Sequence, residues 1–175
     1  ALSQSEIDRL YQNGAGDYAT PPTNNDGGVA YWSFDQADSD TRVVRDEWGN
    51  HDGVRGTKGG TDQPSITENG KRGKALTFDG DDEYIGAGDI GEVEGIDQLT
   101  ASAWIRPHST DSDMVVMGKG DLADSSSAWV VWFDNNGARS GVSNTISWDI
   151  RDSGGTSYKT EGTDGLITAD RWYHV

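Results

Sequence analysis

Short runs of β-branched and aromatic residues, separated by Gly, Asn and Asp turns, follow one another from Val29 to Val175. No helix-like segment lies between them, and many short strands at regular spacing are typical of sheet-on-sheet folds. We therefore predict an all-β fold, an antiparallel β-sandwich, over residues 29–175. The predicted strands are Val29–Phe34, Lys74–Phe78, Glu83–Ile85, Thr100–Ile105, Met114–Met117, Ala128–Phe133, Thr145–Arg151 and Trp172–Val175.

The two-residue period of a strand assigns side chains to faces. In Thr145–Arg151 the period places Ile146, Trp148 and Ile150 on one face. Trp129 and Trp132 are three residues apart, so they point to opposite faces of their strand. Core packing is the predicted role of four tryptophans: Trp32, Trp104, Trp129 and Trp172.

The first 28 residues differ in pattern from the rest. Residues 1–14 are predicted to form a short α-helix, with Ser3 as N-cap, Glu6 three residues later as the second half of a capping box, and Gly14 as the stop. Residues 15–28 are rich in Pro, Gly and Asn, a composition that predicts a linker.

The formal net charge is −16, and the chain has no cysteine. A surface with this much negative charge repels phosphate backbones and anionic membranes. Nucleic acid is therefore excluded as a partner. The charge favours either a halophilic source or calcium binding. Without Cys, disulfides, Fe–S clusters and thiol catalysis are excluded, which favours a prokaryotic protein. No apolar run has the length of a membrane span, so we expect no membrane insertion.

Four carboxylates within one turn make the strongest metal candidate. Asp79, Asp81, Asp82 and Glu83 repel one another, and a hard cation such as Ca²⁺ would relieve that repulsion. The spacing is not that of an EF-hand, and a solvated acidic hairpin is the alternative. Further acidic candidates, for which turn capping is the alternative, are Asp35, Asp46 and Asp52.

Trp48 lies in a Gly/Asn/Asp loop, where an aromatic ring can stack on the apolar face of a sugar. With the adjacent Asn50 and His51 it forms the predicted ligand-binding site. Trp148 is a second candidate platform for a sugar. Packing inside the protein is the alternative for both rings.

Patterns of catalytic residues are missing. Sandwich-fold glycosidases align paired carboxylates on a Glu-x-Asp-x-x-Glu strand, and no such strand is present. The three histidines, His51, His108 and His174, show no metal-binding spacing. No Gly-x-Ser-x-Gly elbow occurs. We therefore predict that the chain is not an enzyme.

Five blocks of the sequence resemble, in order, the laminin-G-like jelly-roll domains of the concanavalin A-like lectin/glucanase superfamily. Trp48 replaces the serine usual in the second block, and Glu83 is an extra acid in the third. The blocks are GVAYWSFDQ (28–36), DEWGNHDG (46–53), GKRGKALTFDGDDEYI (70–85), LTASAWIRP (99–107) and ITADRWYHV (167–175).

The resemblance implies a concanavalin A-like jelly roll whose loop rim often binds calcium. Family domains continue for several strands beyond the block that ends at Val175, so the sandwich is expected to be incomplete at its C-terminus, and neighbouring repeats or another chain would complete the sheet. Residues 1–14 resemble the helix that closes such a domain, which implies a tandem array of repeats.

The predicted function is that of a non-catalytic carbohydrate- or protein-binding adhesion module, assisted by calcium, in a secreted or cell-surface prokaryotic protein. Its partners would be a glycan or a surface protein, outside the cell or at its surface. Two alternatives stay open. One is a structural repeat or subunit of a surface filament or adhesin stalk, and the other is an accessory binding domain of a polysaccharide-degrading enzyme.

Overall fold

The computed structural model describes residues 27–37, 39–57, 60–120, 128–137, 141–152 and 154–175. These residues form antiparallel sheets and a single 3-10 turn, Gly91–Val93, which confirms the all-β prediction. The helix predicted over residues 1–14 and nearly all of the 15–28 linker lie outside the described residues. Among the described residues no helix has the length and apolarity to cross a membrane. The chain divides into two compact units, Ala1–Thr100 and Ala101–Val175.

The described residues of unit 1 form five short strands in two sheets. The strands that follow residue 74 flank the acidic turn as predicted, but they belong to different sheets, so this turn does not close a hairpin. One sheet has the order β1-β2-β5 and the other pairs β3 with β4. The strands are β1 (Val43–Val44), β2 (Gly53–Arg55), β3 (Ser65–Thr67), β4 (Ala75–Thr77) and β5 (Ile85–Gly86).

An arginine rather than an apolar side chain is buried on β2. Arg55 is 6% exposed, whereas its neighbour Val54 is 36% exposed. The guanidinium donates hydrogen bonds to the carbonyl oxygens of Pro64 (3.0 Å) and Thr41 (2.7 Å). A buried charge needs such partners, and these bonds tie two loops of unit 1 to the strand.

The prediction of a strand over Val29–Phe34 is wrong. The segment is not paired as a strand, because the backbone N–H of Tyr31 donates to a side chain, the Asp46 carboxylate, at 2.9 Å. The carbonyl of Tyr31 does accept a backbone hydrogen bond, from the N–H of Glu47 (2.8 Å). Phe34 then takes a positive φ of 68°, which ends the extended run.

In unit 2, the part of the chain that the structure describes forms six strands. Four form a sheet of order β10-β9-β8-β7, and the other two, β6 and β11, pair with each other. Strand β10 has no counterpart in the sequence prediction. The strands are β6 (Trp104–Ile105), β7 (Met114–Lys119), β8 (Ala128–Asp134), β9 (Thr145–Arg151), β10 (Ser157–Glu161) and β11 (Tyr173–His174).

The register of β8 and β9 places apolar side chains together on one face of the four-stranded sheet. Trp129 pairs with Ile150, Val131 with Trp148, and Phe133 with Ile146, as the two-residue period predicts. This apolar face is only partly covered, since Ile150 is 42% exposed. The opposite face of β9 carries small polar residues that are more deeply buried, among them Thr145 (0% exposed) and Ser147 (4%).

The four tryptophans for which we predicted core packing, Trp32, Trp104, Trp129 and Trp172, are half-buried. Smaller apolar side chains are the fully buried ones. The buried apolar residues are Ala37 and Val44 in unit 1 and Ala128, Val130, Val131, Phe133 and Ile167 in unit 2.

Candidate functional site

A groove of 370 Å³ lies on the apolar face of the four-stranded sheet, within unit 2. Its size is that of a small-ligand site, and such sites combine an apolar lining with a few polar groups. Strands β7 to β11 and the loop between β10 and β11 contribute to its wall. The lining residues are Ala101, Met117, Val131, Ile146, Trp148, Thr160, Glu161, Gly162, Leu166, Ile167, Tyr173, His174 and Val175.

Two apolar side chains of the groove differ in how firmly they are held. Trp148 is half-buried, and its ring lies 6.2 Å, centroid to centroid, from that of Trp129. Leu166 lies on the loop before β11 and is 55% exposed. The groove therefore offers one fixed aromatic surface and one side chain that can be changed without emptying a core.

Polar groups of the groove come from β10 and β11. The Tyr173 hydroxyl accepts from the backbone N–H of Thr168 (2.9 Å), and the side-chain and backbone bonds of Thr168 hold the pKa of Tyr173 below its usual range. Burial lowers the pKa of His174, so its imidazole is neutral at pH 7. Thr160, which pairs with Trp148, adds a hydroxyl. Together these groups can donate to and accept from a hydroxylated ligand.

Two indole donors beside the groove find no acceptor among the described residues. The Nε1 atoms of Trp129 and Trp148 are buried and have no hydrogen-bond partner among the described residues. A buried N–H without a partner is rare in folded proteins and often marks a site for water or ligand. Trp148, one of the two sugar platforms predicted from the sequence, thus lies in the wall of the groove.

The second predicted ligand site, the loop of Trp48, Asn50 and His51, is organised by a buried aspartate of unit 1. Asp46 is 7% exposed. Its carboxylate accepts backbone N–H bonds from Tyr31 (2.9 Å), Trp48 (3.0 Å) and His51 (3.1 Å). Burial by itself would raise the pKa of Asp46, but these donors outweigh it and hold the pKa below its usual range.

The Trp48 ring packs within unit 1. Its centroid lies 5.4 Å from that of Tyr31, and a Cβ atom at Gly28 would overlap the indole. His51 lies with its Nε2 atom 3.4 Å from Glu92, and its carbonyl accepts the indole N–H of Trp32 at 2.9 Å. Asn50 is exposed. The loop brings the three predicted residues together, and a ligand at this place stays a prediction.

The acidic turn uses two of its carboxylates to cap its own backbone. Glu83 accepts from the N–H of Asp79 (2.6 Å), and Asp79 accepts from the N–H of Asp81 (2.9 Å). Asp82 is exposed. In the part of the chain that the structure describes, no three His, Cys, Asp or Glu side chains are arranged so that they could hold a metal ion. Calcium at this turn stays a prediction.

The other acidic candidates cap backbone amides. Asp35 accepts from the N–H of Lys74 (2.8 Å), and Asp52 accepts from the N–H of Asp46 (2.9 Å) and pairs with Arg45 (3.0 Å). Gly73, with φ +45°, lies so close to Asp35 that a Cβ atom would overlap the carboxylate. Because Gly73 has no side chain, Asp35 can approach closely enough to bind the N–H of Lys74, which links the segment after Phe34 to the start of β4.

Most residues of the groove were not predicted from the sequence. Tyr173 and Leu166 carry no local signal, because only pairing of β11 with β6 and the path of the preceding loop place them beside Trp148. The alternation of residues 145–151 was the available signal, since a half-covered apolar face on a long strand indicates a ligand or partner surface.

No protein-family model matches the chain, and no curated protein matches it either. Among solved structures, the chain is similar to an S-layer domain-containing protein from Clostridium thermocellum, with a TM-score of 0.56 and 19% identity. The match covers 79% of this chain and 58% of that chain. At this identity the likeness concerns the fold alone, and it is consistent with a β-sandwich.

Proposed function

We propose that the chain is a non-catalytic carbohydrate-binding module of a prokaryotic cell-surface protein, with the groove of unit 2 as its binding site. The observation that carries this proposal is an apolar groove that holds a fixed indole, Trp148, beside a small set of polar groups. The laminin-G-like sandwich inferred from the sequence motifs supports a binding role. The similarity to an S-layer domain-containing protein supports a location at the cell surface.

The chemistry of a sugar ring fits this lining. One face of a pyranose carries C–H groups that pack on an aromatic ring, and its edge carries hydroxyls. Trp148 and Leu166 supply apolar contact, whereas Thr160, Tyr173 and the neutral His174 supply hydrogen-bonding groups. A hydroxyl that reached the indole Nε1 of Trp148 would give that donor the acceptor it lacks.

The test is a glycan microarray probed with the labelled chain in calcium and in EDTA. We expect binding to a subset of glycans, and about a tenfold loss on Leu166→Ala, since removing buried apolar contact of this size costs about 1–2 kcal/mol. Val115→Ala is the matched control: Val115 is 58% exposed and pairs with Trp132, on the face opposite the groove. Absence of any glycan signal, or equal losses in both variants, would contradict the proposal.

A further inference from the structure

Strand β10, Ser157–Glu161, forms one end of the four-stranded sheet. All five of its residues are exposed, including Tyr158 at 57%. At the other end, β7 has a register shift between Val115 and Met117. A bulge disturbs an edge and discourages pairing, whereas a regular exposed edge is a template for another strand.

The pairing of β10 with β9 fixes which of its backbone groups point outward. Gly162 donates to Ile146 (2.9 Å), and Asp152 donates to Thr156 (3.0 Å). In an antiparallel ladder the hydrogen-bonded pairs recur at every second residue. The backbone groups of Tyr158 and Thr160 therefore point towards β9, and those of the alternate residues, 157, 159 and 161, point away from the sheet.

We propose that β10 pairs antiparallel with β10 of a second copy of this chain, about a two-fold axis at Thr160. This register sets Lys159 opposite Glu161 of the second copy, and the same pair occurs twice by symmetry. Shifting the register by one pair in either direction sets Lys159 opposite Lys159 or Glu161 opposite Glu161. Opposite charges across a strand pair stabilise it and like charges destabilise it, so charge selects the Thr160-centred register.

The acidity of the chain sets the conditions for this contact. Two copies of net charge −16 repel each other, and salt shortens the range of that repulsion from about 8 Å at 0.15 M to about 3 Å at 1 M. The contact is small, so we expect weak association, on the order of 10⁻⁴ M, that strengthens as salt is raised. This association does not depend on a glycan in the groove.

The register can be tested by crosslinking, because the chain has no cysteine of its own. Thr160→Cys places one thiol of each copy on the axis, in a pair whose Cβ atoms are close enough for a disulfide. Tyr158→Cys is the control on the same strand and face, and its thiols would lie about 13 Å apart along the two strands. We expect mild oxidation to give dimer at least tenfold faster for Thr160→Cys. Equal rates, or a faster Tyr158→Cys, would overturn the register.

Charge reversal tests the contact in the chain without cysteine. By sedimentation equilibrium in 0.15 M and 1 M NaCl, Lys159→Glu should weaken the dimer, more at the lower salt because salt screens this exposed pair, and adding Glu161→Lys should restore it. Arg171→Glu makes the same change of net charge at an exposed loop residue and should leave the dimer intact. A monomer at every salt and protein concentration, or no rescue by the double reversal, would overturn the proposal, whereas glycan binding is measured separately on the array.

Discussion

Replacing Asp46 by Asn removes one of the two acceptor oxygens of a buried carboxylate that holds four backbone amides, those of Tyr31, Trp48, Gly49 and His51. The Oδ1 atom accepts from Tyr31 and Trp48, and Oδ2 accepts from His51 at 3.1 Å. An asparagine keeps one oxygen, which serves the first two amides, and turns an NH₂ group towards the N–H of His51. Two donors then face each other where a bond had been.

The expected loss of stability follows from the number of hydrogen bonds that each substitution removes. A hydrogen bond to a charged group contributes about 1.5–3 kcal/mol, so Asp46→Asn should cost about 2 kcal/mol, and Asp46→Ala, which removes every bond to the carboxylate, should cost more. Amide hydrogen exchange, followed by NMR, measures the loss of local stability at each residue. A local cost of about 2 kcal/mol corresponds to about thirtyfold faster exchange, and the His51 amide should show the largest change in the Asn variant.

A control variant separates this effect from a general loss of charge. Asp62 also accepts a backbone N–H, that of Thr57 (2.9 Å), but in an exposed loop. Asp62→Asn should affect exchange at Thr57 and leave His51 unchanged. If Asp46→Asn left the His51 amide as protected as before, the carboxylate would not be what organises the Trp48 loop, and the reasoning would be refuted.

Three further predictions concern acid, backbone strain and calcium. Because the pKa of Asp46 is lowered on folding, its contribution is present above about pH 4 and is lost as the pH falls through its folded pKa; urea unfolding from pH 7 to 2 should show a smaller acid loss in Asp46→Asn. Gly73→Ala should lower the urea midpoint more than Gly80→Ala, since both have positive φ but only the Cβ at Gly73 meets Asp35; equal effects would discount that contact. If the acidic turn binds calcium, 1 mM CaCl₂ should raise the Tm relative to EDTA, and Asp81→Asn should reduce the rise; no rise would remove the site.

Strands with a clear two-residue period were predictable. Residues 145–151 form β9 with the bounds expected, and β8 extends its prediction by one residue, Asp134. Both lie inside the sheet: β9 alternates apolar and polar residues, whereas β8 is a run of apolar, aromatic and β-branched residues, AWVVWF, between turn residues. Strand β10 was missed because SYKTE is polar on both faces and exposed throughout, so it carries no burial pattern for a sequence to reveal.

Long-range contacts account for the remaining differences. The segment from Val29 has the composition of a strand, but the side chain of Asp46 takes the amide that a neighbouring strand would have taken. For Asp35, Asp46 and Asp52 the sequence left a metal site and turn capping as alternatives, and in the structure all three accept backbone N–H bonds. Which of these roles a carboxylate adopts depends on the donors that folding brings to it.

The most direct measurement of the central proposal uses the indole N–H signals of the seven tryptophans. The glycan that gives the strongest array signal would be titrated into ¹⁵N-labelled chain, with each indole signal assigned by single Trp→Phe variants. The groove proposal predicts that the Trp148 signal shifts with saturation while that of Trp48 stays in place. A shift of Trp48 with Trp148 unmoved would contradict it and would assign binding to the loop of unit 1.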